Sequence, residues 1–193
     1  MTIKYHIQDA ERLKAELGAA GKHVDTAKRR ALSATAKKAA TFISRDIRKV
    51  FAIRASDVKD QLSIRKYQDD GRALLYTGGK IPIEKFAGKD KRVSITATSK
   101  RGKKFKTSRR AATARVRKDK GRKIVRPGGF LAKGRIYRRR EQDKNDSALV
   151  PVYGPSIPGM VAHPETIRGA QDLVRDELPK EFDRNLDYLL NRS

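Results

Sequence analysis

Apolar residues recur along this chain with two different periods. From Val24 to Phe51 they fall in steps of three and four, at Leu32, Ala36, Ala39, Ile43, Ile47, Val50 and Phe51. Such spacing lays one stripe along one face of a helix, and Lys28, Arg29, Lys37, Lys38, Arg45 and Arg48 fall mostly outside it. The many Ala residues favour helix but bury little area each, so this helix is expected to pack closely on something, another subunit included. A shorter helical stretch precedes it, from Ile7 to Ala20, on Ile7, Leu13 and Leu17; Gly18 and Gly21 interrupt it. A last helix is predicted from Pro164 to Leu190, with Ile167, Leu173, Val174, Leu178, Phe182, Leu186, Leu189 and Leu190 as its apolar face. His163 leads into it, Pro164 suits its first turn and Glu165 its positive dipole end. Pro179 should kink or divide it near Leu178.

Between these helices the period shifts toward two. Ser56 or Asp57 caps a short helical turn at 56–59. Strands are then predicted over Leu62–Tyr67, Ala73–Tyr76, Ile81–Phe86, Val93–Thr98, Arg135–Arg139 and Leu149–Tyr153. In Val93–Thr98 the apolar Val93, Ile95 and Ala97 alternate with Ser94, Thr96 and Thr98, the period of a half-buried strand. Gly78-Gly79 and Gly128-Gly129 mark turns. Ser99 to Lys123 has almost nothing apolar beyond Phe105, Val116 and scattered Ala. The expectation is that it is not core, but a long loop or hairpin leaving the sheet, or a segment ordered only by its partner.

Three regions follow: a helical 1–55, a β-rich 56–160 with a basic insertion at about 99–123, and a helical 161–193, together making one structural domain. In the 193 residues, hydrophobic and charged types are nearly equal at 37% and 36%, and there is no Trp. That composition permits one modest core. Cysteine is absent, which excludes disulfides and thiolate metal sites. No apolar run approaches the roughly 20 residues that span a bilayer. The first residues lack the apolar region of a signal peptide, so the cytoplasm of the producing cell is the expected compartment, and no membrane partner is expected.

Charge changes the picture most. The formal net charge is +25, and it is concentrated. From Lys80 to Arg140 there are 24 Lys and Arg against three acids, Glu84, Asp90 and Asp119; the rest of the chain holds 23 and 19. An excess of this density repels itself and calls for a polyanionic partner. The candidate polyanion-binding residues are Lys100, Arg101, Lys103, Lys104, Lys106, Arg109, Arg110, Arg115, Arg117, Lys118, Lys120, Arg122 and Lys123. Arg138-Arg139-Arg140 follow beyond the glycine turn. Phosphate contacts need charge and release counterions, without fixed geometry. Phe105 is alone in the segment, and Phe130 and Tyr137 come later, so stacking platforms for single strands are not indicated. The polyanion is DNA or an acidic neighbouring protein.

Catalysis finds little support in the residues. His6, His23 and His163 lie far apart, in no metal-ligand spacing. Gly78-Gly79-Lys80 lacks both the upstream Gly of a phosphate loop and the Ser or Thr after its Lys, since Ile81 stands there. Asp69-Asp70 and Asp176-Glu177 suit a solvated loop and a polar helix face. The expectation is a non-enzyme with no cofactor and no metal.

A resemblance to a known family rests on the second half of the chain. Gly128-Gly129-Phe130-Leu131-Ala132 leads into Lys133-Gly134-Arg135-Ile136-Tyr137-Arg138-Arg139. Leu149-Val150-Pro151-Val152-Tyr153-Gly154-Pro155-Ser156-Ile157-Pro158-Gly159-Met160 follows. Together these resemble the minor tail protein Z family of long-tailed phages. Ile81-Pro82-Ile83-Glu84-Lys85-Phe86 resembles a short motif in the middle of that family, and the basic, Ala-rich helix with Arg54-Ala55-Ser56-Asp57-Val58 fits as well. The motif residues are Pro82, Phe86, Phe130, Tyr137, Pro151, Gly154, Pro155, Ser156, Pro158 and Met160. Ile43, Ile47, Leu173, Leu178, Phe182 and Leu186 are the expected helix-packing residues. Four departures stand out: Phe130-Leu131 follows two glycines where an Ala-Phe pair is common, Tyr137 stands where Phe is common, Pro151 is displaced by one place, and Ser99–Lys123 is unusually long and basic.

The resemblance implies an α+β fold, with a long N-terminal helix and a C-terminal helix flanking a β-sandwich or barrel-like antiparallel sheet. It implies a virion protein of the tail-completion or head–tail joining kind. Copies would form a homo-oligomer, a six-fold ring at the head-proximal end of the tail, among tail-tube and head-connector proteins. Contact with genomic DNA would be independent of its sequence, and assembly would take place in the host cytoplasm. Gly154 to Gly159, rigid and turn-rich, would set the angle at which the last helix leaves the sheet, or serve as an ordinary connector. The competing reading is a cellular RNA-binding protein of ribosomal or ribosome-assembly type, which the scarcity of stacking aromatics disfavours.

Overall fold

The fold comes from a computed structural model, which describes residue 18 and residues 21–67, 71–125, 129–139 and 148–191. The architecture is α+β, with long helices toward both ends of the chain and, among the described residues, antiparallel strand pairs between them, including a curled half-barrel. Helix α1 covers Gly21–Val50 and α2 Ala55–Lys59. Strands β1 (Leu62–Lys66), β2 (Arg72–Tyr76) and β3 (Lys80–Pro82) follow, then a 3-10 turn at Ile83–Lys85. Next come β4 (Lys89–Thr98), β5 (Lys104–Ala114), β6 (Lys123–Ile124), β7 (Phe130–Ala132), β8 (Arg135–Arg139), β9 (Leu149–Pro151) and β10 (Tyr153–Ser156). Helices α3 (Ile157–Val161) and α4 (Pro164–Leu190) close the chain. The expected stretch from Ile7 to Ala20 lies outside the described residues, Gly18 apart.

The chain divides into two compact units. One holds α1 as far as Ile47, the β1–β2 hairpin, α3 and α4. Val24, Ala27 and Ala31 of α1 meet Leu178, Phe182 and Leu186 of α4, with Leu32 and Leu189 at the margin. The Ala residues let the two helices approach closely, and Leu178, Phe182 and Leu186 are the large side chains that α4 buries there; a fully buried side chain of that size contributes about 1.5–3 kcal/mol. The helices run antiparallel. Thr166 Oγ1 donates to Asp46 Oδ2 at 2.7 Å, the Phe42 ring lies where a side chain on Gly169 would be, 2.7 Å from an ideal Cβ, and Lys38 reaches Glu177 and Glu181. Ile43 and Ile47 are buried and Leu173 is half-buried. The β1–β2 hairpin is tied to α1 by Arg72 Nε, which donates to Ser33 Oγ at 3.2 Å.

The other unit holds residues 48–57 and 79–156. Its core is Ile83, Ala112, Ala114, Val125, Ile136 and Val152, with Val116 at the edge. Three sheets meet there: β4-β5-β6, β7-β8-β9, and the β3–β10 pair. Lys133 (φ 46°) and Gly134 (φ 75°) join β7 to β8, the two left-handed residues that a two-residue type I′ hairpin turn requires.

Several expectations need correction. Ile81–Phe86 is not one strand. Pro82 has no N–H for a ladder, so β3 stops there and the chain turns through Ile83–Lys85, burying Phe86 completely. Leu149–Tyr153 is divided at Val152, whose N–H donates to the Ile136 carbonyl and whose carbonyl accepts from Ile83 N, both at 2.9 Å. There the chain changes partner from β8 to β3. Gly154 to Gly159 is not turn-rich: Gly154-Pro155-Ser156 belong to β10, and Ile157 begins α3, in which Ile157 and Met160 are buried. Ser56 and Asp57 lie inside the first turn of α2 instead of capping it, and Asp57 Oδ1 accepts from Lys85 Nζ at 2.5 Å. Pro179 does not divide α4, which is continuous from Pro164 to Leu190; Leu178 and Phe182, buried on either side of it, hold the helix against α1.

Candidate polyanion interface

The basic insertion is a hairpin. β5 runs antiparallel to β4 through ten paired positions, from Lys89↔Thr113 to Thr98↔Lys104. Its tip is a three-residue loop closed by hydrogen bonds from Ser99 N to Lys103 O (2.8 Å) and from Gly102 N to Ser99 O (2.9 Å). Gly102 adopts φ 79°, the left-handed conformation such loops place next to the closing pair. Lys100, Arg101 and Lys103 are exposed on this tip.

Register then sorts the side chains. Residues directly opposite in an antiparallel pair share a face. Lys104, Lys106, Ser108 and Arg110 of β5 therefore stand on one face with Thr98, Thr96, Ser94 and Arg92 of β4, and all eight are exposed. Arg92 faces Arg110 directly. Among the described residues, none of the cations on this face or tip forms an ion pair. Phe105, half exposed, is on the other face. Only the backbone of Arg109 is described, opposite Val93.

At the hairpin's base the setting reverses. Ala111, Ala112, Thr113 and Ala114 are buried, so this part of the supposedly non-core segment is core: β6 pairs along the edge of β5, and Ala112 and Ala114 pack with Ile83, Val125, Ile136 and Val152. Arg115 donates from its side chain to the Lys118 carbonyl, and its N–H to the Phe86 carbonyl. Arg117 makes two hydrogen bonds to Asp119, at 3.0 and 3.1 Å, and lies 6.0 Å above the Phe51 ring. That pairing holds the Asp119 carboxyl below its ordinary range and the Arg117 guanidinium above its own. Arg122, half-buried, donates to the carbonyls of Ala87 and Thr113. Lys118, Lys120 and Lys123 are exposed. The candidate cations are therefore not brought into one site: the tip and one face are open, and three arginines are fastened to the scaffold. Arg92 was missed by reading the sequence, because it precedes the alternating Val93–Thr98 run; only the strand register puts it opposite Arg110.

The motif residues divide as well. Phe130, Tyr137 and Pro151, scattered in sequence, form one row across β7, β8 and β9, with the two rings 6.4 Å apart. Phe86 packs on bare Gly154, where an added Cβ would stand 2.6 Å from its ring. Pro82 pairs with Tyr153, and Ser156 with Lys80; Pro155 lies in β10 and Pro158 in α3. His163 sits at the N-cap of α4 without a side-chain capping bond. Among the described residues, no three His, Cys, Asp or Glu lie together as a metal site, and no helix is long and apolar enough to cross a membrane.

What the described residues define is a small α+β scaffold that presents a row of exposed cations and hydroxyls on one hairpin face. The chain belongs to the prophage minor tail protein Z (GPZ) family, whose model matches residues 7–193. It is thus a minor tail protein, a structural component of the phage tail that assembles with other virion proteins. No curated protein and no solved structure matches it.

Proposed function

We propose that this protein completes the tail. Copies form a homo-oligomeric ring, six-fold in symmetry, at the head-proximal end; the ring joins tail to head and contacts or positions genomic DNA without reading its sequence. It assembles in the host cytoplasm beside tail-tube and head-connector proteins, and acts by binding alone. The observation that carries this reading is the β4–β5 hairpin, which has eight Lys and Arg from Arg92 to Arg110 and no acid. A ring would repeat that hairpin around an axis, giving a collar of positive charge where the DNA end lies. The test is to replace the hairpin cations by Gln in the phage and image the particles. Joined particles that lose or misplace their DNA are expected; heads and tails that fail to join would make the hairpin a protein interface instead. Sizing and imaging the purified protein tests the ring, and a lone monomer at assembly concentrations would count against it.

A further inference from the structure

We infer that one face of the β4–β5 hairpin is a binding surface for duplex DNA. On this assignment Arg92, Arg110, Lys104, Lys106 and the three cations of the tip lie on backbone phosphates, and Arg115, Arg117 and Arg122 serve as scaffold. The inference deepens the DNA contact proposed above and rests on it for its role in the particle, though not for its test.

Three features of the face converge. First, it is uncompensated: Asp90, at the base, is the one acid in its rows, and Arg92 directly faces Arg110. Like charges directly opposite each other destabilise a strand pair, and an anion set between them reverses the sign. Second, the cations share the face with Ser94, Thr96, Thr98 and Ser108, and hydroxyls of this kind contact phosphates without carrying sequence information. Third, away from β6 the hairpin is a two-stranded ribbon, a shape that the duplex major groove admits. Phe105 points to the opposite face, so the bound strand is not unstacked onto aromatic rings.

An acidic protein is the competing occupant, and the chain supplies one candidate. Glu165, Asp172, Asp176, Asp183 and Asp187 recur in steps of seven and four along α4 and are all exposed. Charge decides against it. α4 has seven acids but four bases, and Glu165 and Asp172 already lie near His163 and Arg175. Duplex DNA offers one negative charge per roughly 1.7 Å of axis, a far denser match to a face with one peripheral acid.

The experiment uses the full purified chain and a labelled 20-base-pair duplex of arbitrary sequence, with binding measured by anisotropy from 50 to 200 mM salt. Seven phosphate contacts predict a log–log salt slope of about −6, and equal affinity for an unrelated duplex. R92Q/K104Q/K106Q/R110Q should reduce the slope by roughly 3–4 and weaken binding at least tenfold at low salt. R115Q/R117Q/R122Q should leave the slope within about one of the parent while speeding amide exchange at the base of β5. The inference is overturned if the face variant keeps the parent slope, or if only the base variant loses it while its circular dichroism is unchanged. It is also overturned if the protein ignores DNA but self-associates in a salt-sensitive way that D176N/D183N/D187N abolishes, since a second copy is then the occupant. Failure of DNA binding leaves tail assembly intact as a separate reading, decided by complementation with the same variants.

Discussion

Lys38 and Arg110 are both exposed cations on regular elements, yet they sit in opposite electrostatic settings. Lys38 donates to Glu177 at 2.6 Å and to Glu181 at 2.7 Å across the α1–α4 contact. Those hydrogen bonds raise the lysine's pKa and hold the Glu177 carboxyl below its ordinary range. Arg110 has another arginine opposite it and hydroxyls around it. Lys38 is thus paired inside the fold, whereas Arg110 has no ion pair among the described residues. The total of +25 hides this division. A count of cations gives the sign of a partner, while their pairing says which residues are free to meet it.

The contrast predicts where the protein breaks. Phe182→Ala, in the contact of α1 with α4, should cost about 3–5 kcal/mol, because the transfer and cavity terms add; urea unfolding followed by circular dichroism measures it. In the other unit, Gly154→Ala forces a methyl into the Phe86 ring and should cost about 1–3 kcal/mol as overpacking. The same unfolding curves read it.

The ion pair predicts a smaller effect with a definite sign. Glu177 is held below its unfolded value. Its contribution is therefore present above the ordinary carboxylate range of about 4.3 and is lost as pH falls through the lower folded value. Lys38, held above its unfolded value, contributes below that value and loses its contribution as pH rises through the higher folded one. Glu177→Gln should flatten the acid limb of stability between pH 5 and 2, measured by denaturant midpoint, and an unchanged limb would remove the pair from the account. Least of all should the hairpin respond: R92Q/K104Q/K106Q/R110Q is expected to change stability by no more than about 0.5 kcal/mol, with any change toward greater stability as like charges are removed. A large loss there would mean that these cations hold the fold together, and the contrast with Lys38 would collapse.

Much of the helical architecture was legible in the sequence. The Pro164–Leu190 span emerged residue for residue, because a 3.6-residue period over 27 positions outweighs a single interior proline. Arg135–Arg139 was equally clear between its glycine turn and the next segment. Legibility failed where partners are distant in the chain. Ala111–Ala114 looked like filler in a basic run, since small residues carry no hydrophobic signal until neighbours close over them. The break at Val152 was invisible because an extended backbone looks the same whether it keeps its partner or changes it.

Order along a chain is enough to fix local period, charge density and the kinship of Gly128 to Met160, since each depends only on near neighbours or on composition. It sufficed for the α+β class, the basic middle and the tail-protein family. Tertiary structure decided which cations are open and which are fastened, and that Phe130, Tyr137 and Pro151 form one row. Those outcomes depend on strand register, which is set only when the two strands meet, and on contacts across the chain such as Arg122 with the Ala87 carbonyl and Arg117 with the Phe51 ring.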